Sequence, residues 1–176
     1  DHFWMELEQN QDQIKLATNG HDLRQNELAG KKSAMLAIEE GGVLEGYIGN
    51  LHSFYRQGVR FVTLTWNYPN ELGFPHGKEH YGKGLTKCGL DMVAEMNRIG
   101  MLADSSHLSD AGFWDLIEHS KTPFMATHSN CRAIRDHSRN LTDEQIKALG
   151  EKGGVMGINV VKNFLIEGED VGRLEA

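Results

Sequence analysis

MLADSSHLSDAGFWDLIEHSKTPFMATHSN, residues 101–130, carries the pattern from which the fold can be inferred. Met101–Asp104 is a short apolar run; Ser109 can cap a helix whose Phe113, Leu116 and Ile117 point inward; Pro123 opens a second run at 124–127. The pattern is strand, helix, strand, with His107 just past the end of the first strand and His128 at the end of the second. Parallel strands joined through helices open their carboxyl ends onto one rim, and chemistry is assembled there. Two imidazoles delivered to one rim put metal chemistry first among the function classes to test.

The same alternation continues on either side. Upstream, Phe3 to Gln11 reads as the end of a helix and Ile14–Thr18 as a short strand, followed by a helix over His21–Leu28 that Gly30 stops. Ala34–Ile38 is an unbroken apolar run of the kind buried on both faces, and it ends on Glu39, Glu40, Gly41 and Gly42. Leu44, Ile48, Leu51 and Tyr55 recur at helical spacing up to Gly58, and Val59–Trp66 is a β-branched and aromatic strand. Thr86 caps a helix ended by Gly100; downstream, Thr142 and Gln145 form a capping box for a helix that Gly153 ends, and Gly154–Val161 is the last clear strand. Six strands in strict alternation with helices predict parallel βαβ units, whose right-handed connections wind one way around a common axis. No Gly-rich phosphate loop follows the first strand, which favours a barrel over an open doubly wound sheet. The expected fold class is therefore α/β, a TIM-type (β/α)8 barrel. Since a closed barrel takes about 250 residues, the 176 residues are expected to form one incomplete barrel domain of about six βα units over 1–176.

Composition narrows the function classes. The net charge of −7 comes with no basic tract, so nucleic acid is not an expected partner. Two cysteines, Cys88 and Cys131, are too few for a disulfide framework and lack zinc-finger spacing. No apolar run reaches the ~18 residues of a membrane span, and the start has no signal-peptide pattern; the default compartment is the cytoplasm, with the amino terminus expected to be missing. A homodimer is left open.

The residues at the strand ends are Glu40, Trp66, Asp104 to His107, His128 and Asn159. A carboxylate and two imidazoles from three strands, Glu40, His107 and His128, can converge on a borderline metal such as Zn²⁺; with nine histidines in the chain, two could equally fall near strand ends as surface or hydrogen-bonded core residues, and Glu40 could be a solvated rim residue paired with Lys31 or Lys32. Glu39 could serve as well, but the glycines after Glu40 let another group approach closely there. Asp104 is expected to orient an imidazole rather than bind metal. Arg139, in Asp136–Asp143, could reach over the rim and grip a carboxylate with its planar fork. Residues 67–84 carry two of the three prolines and four glycines without periodicity, as expected of a lid or binding loop leaving a strand end. His119 is expected to be structural, and His52, His76, His80 and His137 are background.

Taken together, IEEGG (38–42), GVRFVTLTWN (58–67), GLTKCGLDMVAEMNRIGMLADSSHLSDAGFWD (84–115) and PFMATHSNCRAIRDHSRNLTDEQIKALGEKGGVMGINVV (123–161) resemble the membrane (renal) dipeptidase family, including its bacterial members, over roughly residues 30 to 165. The resemblance implies a hydrolase barrel with two zinc ions that cleaves dipeptides through a metal-bridging hydroxide and tolerates a D-residue on the carboxyl side. Glu40 then matches the bridging carboxylate, His107 and His128 the histidines of one zinc site, and Arg139 the arginine that binds the substrate carboxylate. Trp66 stands where many members have a histidine that helps polarise the scissile carbonyl. The family's H-x-D motif on the first strand and its aspartate on the eighth have no counterpart, so the chain reads as the middle of such an enzyme. Two rival readings are an inactive metal-binding fragment and a related amidohydrolase acting on N-acyl amino acids.

Overall fold

The structure, a computed structural model, describes residues 2–166. Helix α1 (His2–Gln9) leads into β1 (Ile14–Leu16), α2 (Gly20–Leu28), β2 (Lys32–Ala34) and β3 (Leu36–Glu39). A 3-10 turn over Gly41–Leu44 precedes α3 (Ile48–Arg56) and β4 (Val59–Thr63). Then come α4 (Lys87–Ile99), β5 (Leu102–Asp104), α5 (Asp110–His119), β6 (Met125–Ser129), α6 (Asp143–Glu151) and β7 (Val155–Ile158).

All strand pairs are parallel, and β3-β4-β5-β6-β7 lie side by side in chain order. β1 pairs with β2, which is separated from β3 by Met35 alone, so one segment meets β1 with its first half and β4 with its second. The expected six strands are thus present, the second of them split. No reversal of order interrupts the series. A doubly wound sheet needs such a reversal, whereas a singly wound series with a helix after each strand is an arc of a (β/α) barrel.

Local chemistry sets the helix ends where the sequence places them. Ser109 accepts the Gly112 N–H, Thr86 the Gly89 N–H, and Thr142 with Gln145 closes a complete capping box, each satisfying amides a helix start leaves unpaired. Gly100 ends α4 at φ +79, the left-handed conformation that costs a side-chain-bearing residue about 1 kcal/mol or more.

The apolar faces of α3, α4 and α5 close on the sheet. Leu51, Met92, Val93, Met96, Phe113 and Leu116 are buried against Val62, Ala103 and Ala126, and Phe113 meets Phe124 edge-to-face at 5.5 Å. One strand departs from expectation. Leu36 and Ile38 pack on this core while Ala37 is exposed, because no described element covers the opposite face of β3. Val155 and Ile158 on the edge strand β7 are likewise exposed. Among the described residues no helix is long and apolar enough to cross a membrane.

The long segment after β4 is pinned at both ends of its course. Its Leu72 carbonyl accepts the Thr86 N–H at 2.9 Å, and a Cβ on Gly89 would lie 1.9 Å from that same oxygen, so only glycine lets α4 come this close. Further along, Pro75 bridges to Leu108 and the Phe74 carbonyl accepts the Ser109 N–H at 3.0 Å. The segment therefore folds back across the ends of β4 and β5, over His107.

Candidate metal centre

Three side chains from three strand ends converge. Glu39 is the last residue of β3, His107 follows β5, and His128 lies near the end of β6. Glu39 Oε1 is 3.5 Å from His107 Nε2 and 3.4 Å from His128 Nε2, and the two Nε2 atoms are 2.9 Å apart. This is the one group of three or more potential metal-ligating side chains found among the described residues.

Glu40, the expected carboxylate, is turned elsewhere. Its backbone leaves the strand at φ +94, and its carboxylate accepts the Gly42 N–H at 3.0 Å and the Asn70 amide at 2.7 Å. Successive residues of a strand face opposite ways, so a shift of one residue separates a rim-facing carboxylate from one that caps the following turn. The carboxylate beside the histidines is Glu39. Either glutamate suits the sequence, and the glycines that favoured Glu40 serve the tight turn: a Cβ on Gly41 would lie 2.7 Å from the Leu64 carbonyl oxygen.

Hydrogen bonds fix the imidazole tautomers. Asp104 is fully buried and accepts from Thr63 Oγ1 (2.7 Å), Thr127 Oγ1 (2.5 Å), Ser106 N (2.9 Å) and Thr127 N (2.9 Å). The Thr127 hydroxyl spends its only proton on that carboxylate, so towards His128 Nδ1, at 2.8 Å, it can only accept. The proton of His128 is thereby held on Nδ1, leaving a lone pair on Nε2. On His107, Nδ1 lies 3.0 Å from Asn67 Oδ1, which cannot donate, so its Nε2 also carries a lone pair. Two ring lone pairs and a carboxylate facing one point repel one another unless a positive centre lies among them. The donor set, two imidazole nitrogens and a carboxylate oxygen with the partner nitrogens hydrogen-bonded, fits a metal ion such as zinc. Asp104 is linked to the His128 ring through the Thr127 hydroxyl. Removing it in Asp104→Ala strands two hydroxyls, that of Thr63 buried and that of Thr127 partly buried, and two amides. The expected cost is about 3 kcal/mol or more in urea unfolding.

Electrostatics keep the rings neutral. Burial first, then the Arg139 guanidinium and the neighbouring His128 and His76, hold His107 down to about 2. Burial and Arg139 lower His128 too, against the opposing pull of Asp104 and Glu39. Neutral imidazole is the form that ligates a metal.

Arg139 is 4% exposed, and burial depresses its guanidinium to about 10. Its Nη2 donates to the His128 carbonyl at 3.1 Å, the group stands over the Phe164 ring at 5.6 Å, and its Nε has no partner among the described residues. A nearly buried cation with an unspent donor is costly to leave unpaired. Trp66, 40% exposed, stacks edge-on to Tyr68 at 5.6 Å with its ring centroid 6.3 Å from that of His107, forming an aromatic wall beside the site. Asn159 is outside the group of potential ligands: its backbone N–H and carbonyl pair with the Asn130 side chain at 3.0 and 2.8 Å, which extends the β6–β7 pairing, and its side-chain amide reaches the His128 backbone carbonyl at 3.5 Å.

Sequence reasoning missed Asn67, Thr127 and His76. His76, treated as background, lies on the folded-back segment with its ring centroid 6.1 Å from that of His107. Proximity in a loop without periodicity leaves no sequence signal.

The profile of the membrane dipeptidases, peptidase family M19, matches residues 1–173. The chain belongs to the membrane dipeptidase family. It is 40% identical over 142 residues to an uncharacterised protein of the pqqA 5′ region of Klebsiella pneumoniae, covering 77% of this chain and 52% of that protein. Among solved structures, dipeptidase AC, a family M19 metallo peptidase, superposes with a TM-score of 0.86 at 32% identity, over 94% of this chain and 50% of that one. A metallo peptidase from Rhodobacter sphaeroides, liganded with a phosphinate mimic of the dipeptide L-Ala-D-Ala, gives a TM-score of 0.84 at 32% identity, covering 93% and 48%. This membrane dipeptidase homologue thus spans about half the length of these relatives, and its fold is part of the metallohydrolase barrel expected from the strand–helix alternation.

Proposed function

We propose that the protein to which this chain belongs is a zinc-dependent dipeptidase, and that Glu39, His107 and His128 hold one of its metal ions. The observation that carries the reading is the convergence of three lone-pair donors from three strand ends, within 2.9–3.5 Å of one another, with both imidazoles locked in the metal-ready tautomer. Bound there, zinc supplies Lewis acidity toward a peptide carbonyl and makes a nucleophile available at neutral pH. The chain's own residues do the rest. Glu39 balances the charge of the cation, Asp104 and Thr127 hold the His128 ring, and the aromatic wall of Trp66 and Tyr68 restricts solvent on one side.

Arg139 is the proposed grip for the substrate's terminal carboxylate. Its buried guanidinium keeps an Nε donor without a partner among the described residues, which a substrate carboxylate would engage, so it selects substrates that end close to the scissile bond and thereby favours dipeptides. The dipeptide mimic bound by the Rhodobacter relative supports this substrate class, including a D-residue on the carboxyl side. The test is metal content by emission spectrometry together with hydrolysis of a panel of L,L- and L,D-dipeptides and N-acyl amino acids. Zinc-dependent cleavage of dipeptides is expected; cleavage of N-acyl amino acids alone, or no bound metal, would overturn the assignment.

A further inference from the structure

Asn67 is exposed and stands at the start of the irregular segment, yet its carboxamide oxygen joins two histidines. Oδ1 lies 3.0 Å from His107 Nδ1 and 3.2 Å from His76 Nε2. A carbonyl oxygen has two lone pairs and can accept both N–H groups. The arrangement is consistent to its far end: with its proton on Nε2, His76 presents a bare Nδ1 to the Ser138 hydroxyl at 2.8 Å, and Ser138 adjoins Arg139. The backbone repeats the connection, since the His76 N–H donates to the His107 carbonyl at 2.6 Å. That second tie matters because His107 sits at φ +72, a conformation uncommon for a residue with a side chain and held only where its surroundings enforce it.

We propose that Asn67 is a positioning residue for the cation site: its carboxamide oxygen holds His107 with the proton on Nδ1 and the lone pair on Nε2, and ties His76 of the overlying segment to the same ring. The proposal rests on the reading that Glu39, His107 and His128 hold a cation. His128 has a buried carboxylate behind it through Thr127, whereas for His107 the corresponding partner is Asn67, borne by the loop. The two rings are therefore set by different devices, one in the sheet and one in the segment that covers it. A carboxylate at position 67 can do the same work, since it too accepts from both rings; a methyl group cannot.

Three proteins decide it: wild type, Asn67→Ala and Asn67→Asp, each as the full chain. Zinc affinity is read by chelator competition, and the visible absorption of the Co²⁺-loaded protein reports ligand geometry. The tautomer of His107 is read directly in the metal-free protein by ¹⁵N NMR. Asn67→Ala is expected to weaken zinc about 10- to 100-fold, the range for loss of a hydrogen-bond partner behind a metal ligand. It should also shift His107 away from the Nδ1–H tautomer and leave the thermal midpoint of the metal-free chain unchanged. Asn67→Asp is expected to restore both affinity and tautomer. Wild-type affinity and an unmoved tautomer in Asn67→Ala would overturn the proposal, as would equal losses in both variants, which mark a packing role. If wild type itself binds neither Zn²⁺ nor Co²⁺, the cation-site reading fails, a result distinct from any difference among the variants.

Discussion

Replacing His128 with alanine is expected to cost this chain its metal. Structural zinc sites release about 10–16 kcal/mol through four ligands, which apportions roughly 3 kcal/mol to each and predicts a loss of about 100-fold in affinity for one missing imidazole. Here the loss is compounded by what the ring leaves behind. The Thr127 hydroxyl keeps its bond to Asp104 but loses the N–H it accepts, while His107 and Glu39 face a gap in which they alone hold the cation. His128→Ala should therefore purify without stoichiometric metal under conditions where wild type retains it, and a thermal scan should show no stabilisation on adding zinc. Full metal content in this variant would remove His128 from the ligand set. Glu39→Gln and Glu40→Gln make a sharp companion pair. Only the first should lower affinity, because the Glu40 carboxylate is occupied by Gly42 and Asn70.

Arg139→Ala is expected to act on substrate and spare metal. A hydrogen bond to a charged group contributes about 1.5–3 kcal/mol, so losing the guanidinium should raise KM for dipeptides by roughly 10- to 100-fold. Lysine should rescue poorly, because a compact ammonium cannot replace a planar fork. The substitution carries an internal control. Arg139 is the second-largest influence, after burial, holding His107 and His128 below the ordinary imidazole range, and it also lowers His76. Its removal should raise the pKa of His128, measurable by NMR titration of the metal-free protein. An unchanged KM beside a raised His128 pKa would keep the geometry and discard the substrate-binding role. A full set of bound metal is expected throughout, since Arg139 touches His128 through the backbone carbonyl and leaves the ring nitrogens alone.

Much of this protein was legible in the order of its residues. Period and punctuation carry helices and strands: Ser109, Thr86 and Thr142 cap the helices they precede, and Gly100 ends one, because these effects are local to a turn of chain. Strict alternation then implies parallel strands wound one way, and parallel strands deliver the residues at their carboxyl ends to a single rim. That reasoning alone placed His107 and His128 at the strand ends, where their rings come together, and Asp104 at the end of β5. The resemblance in four separate motifs added a family, and the match over residues 1–173 bears it out.

Matters of one residue, and of contacts across the chain, were left to the tertiary structure. Glu39 and Glu40 are neighbours of the same type, and the choice between them turns on a backbone that leaves the strand at φ +94, a consequence of how the next turn packs against Leu64 and Leu72. Asn67 and His76 lie in a segment without periodicity, so their meeting with His107 depends on how that segment is pinned to Leu72, Leu108 and Ser109. The tautomers are likewise a property of the assembled site, since each is set by the acceptor that happens to face Nδ1. Local interactions write themselves into sequence because their partners are a fixed number of residues apart; apart from the neighbouring pair Thr127 and His128, the contacts that assemble this group join residues more than 20 positions apart, where no spacing rule reaches.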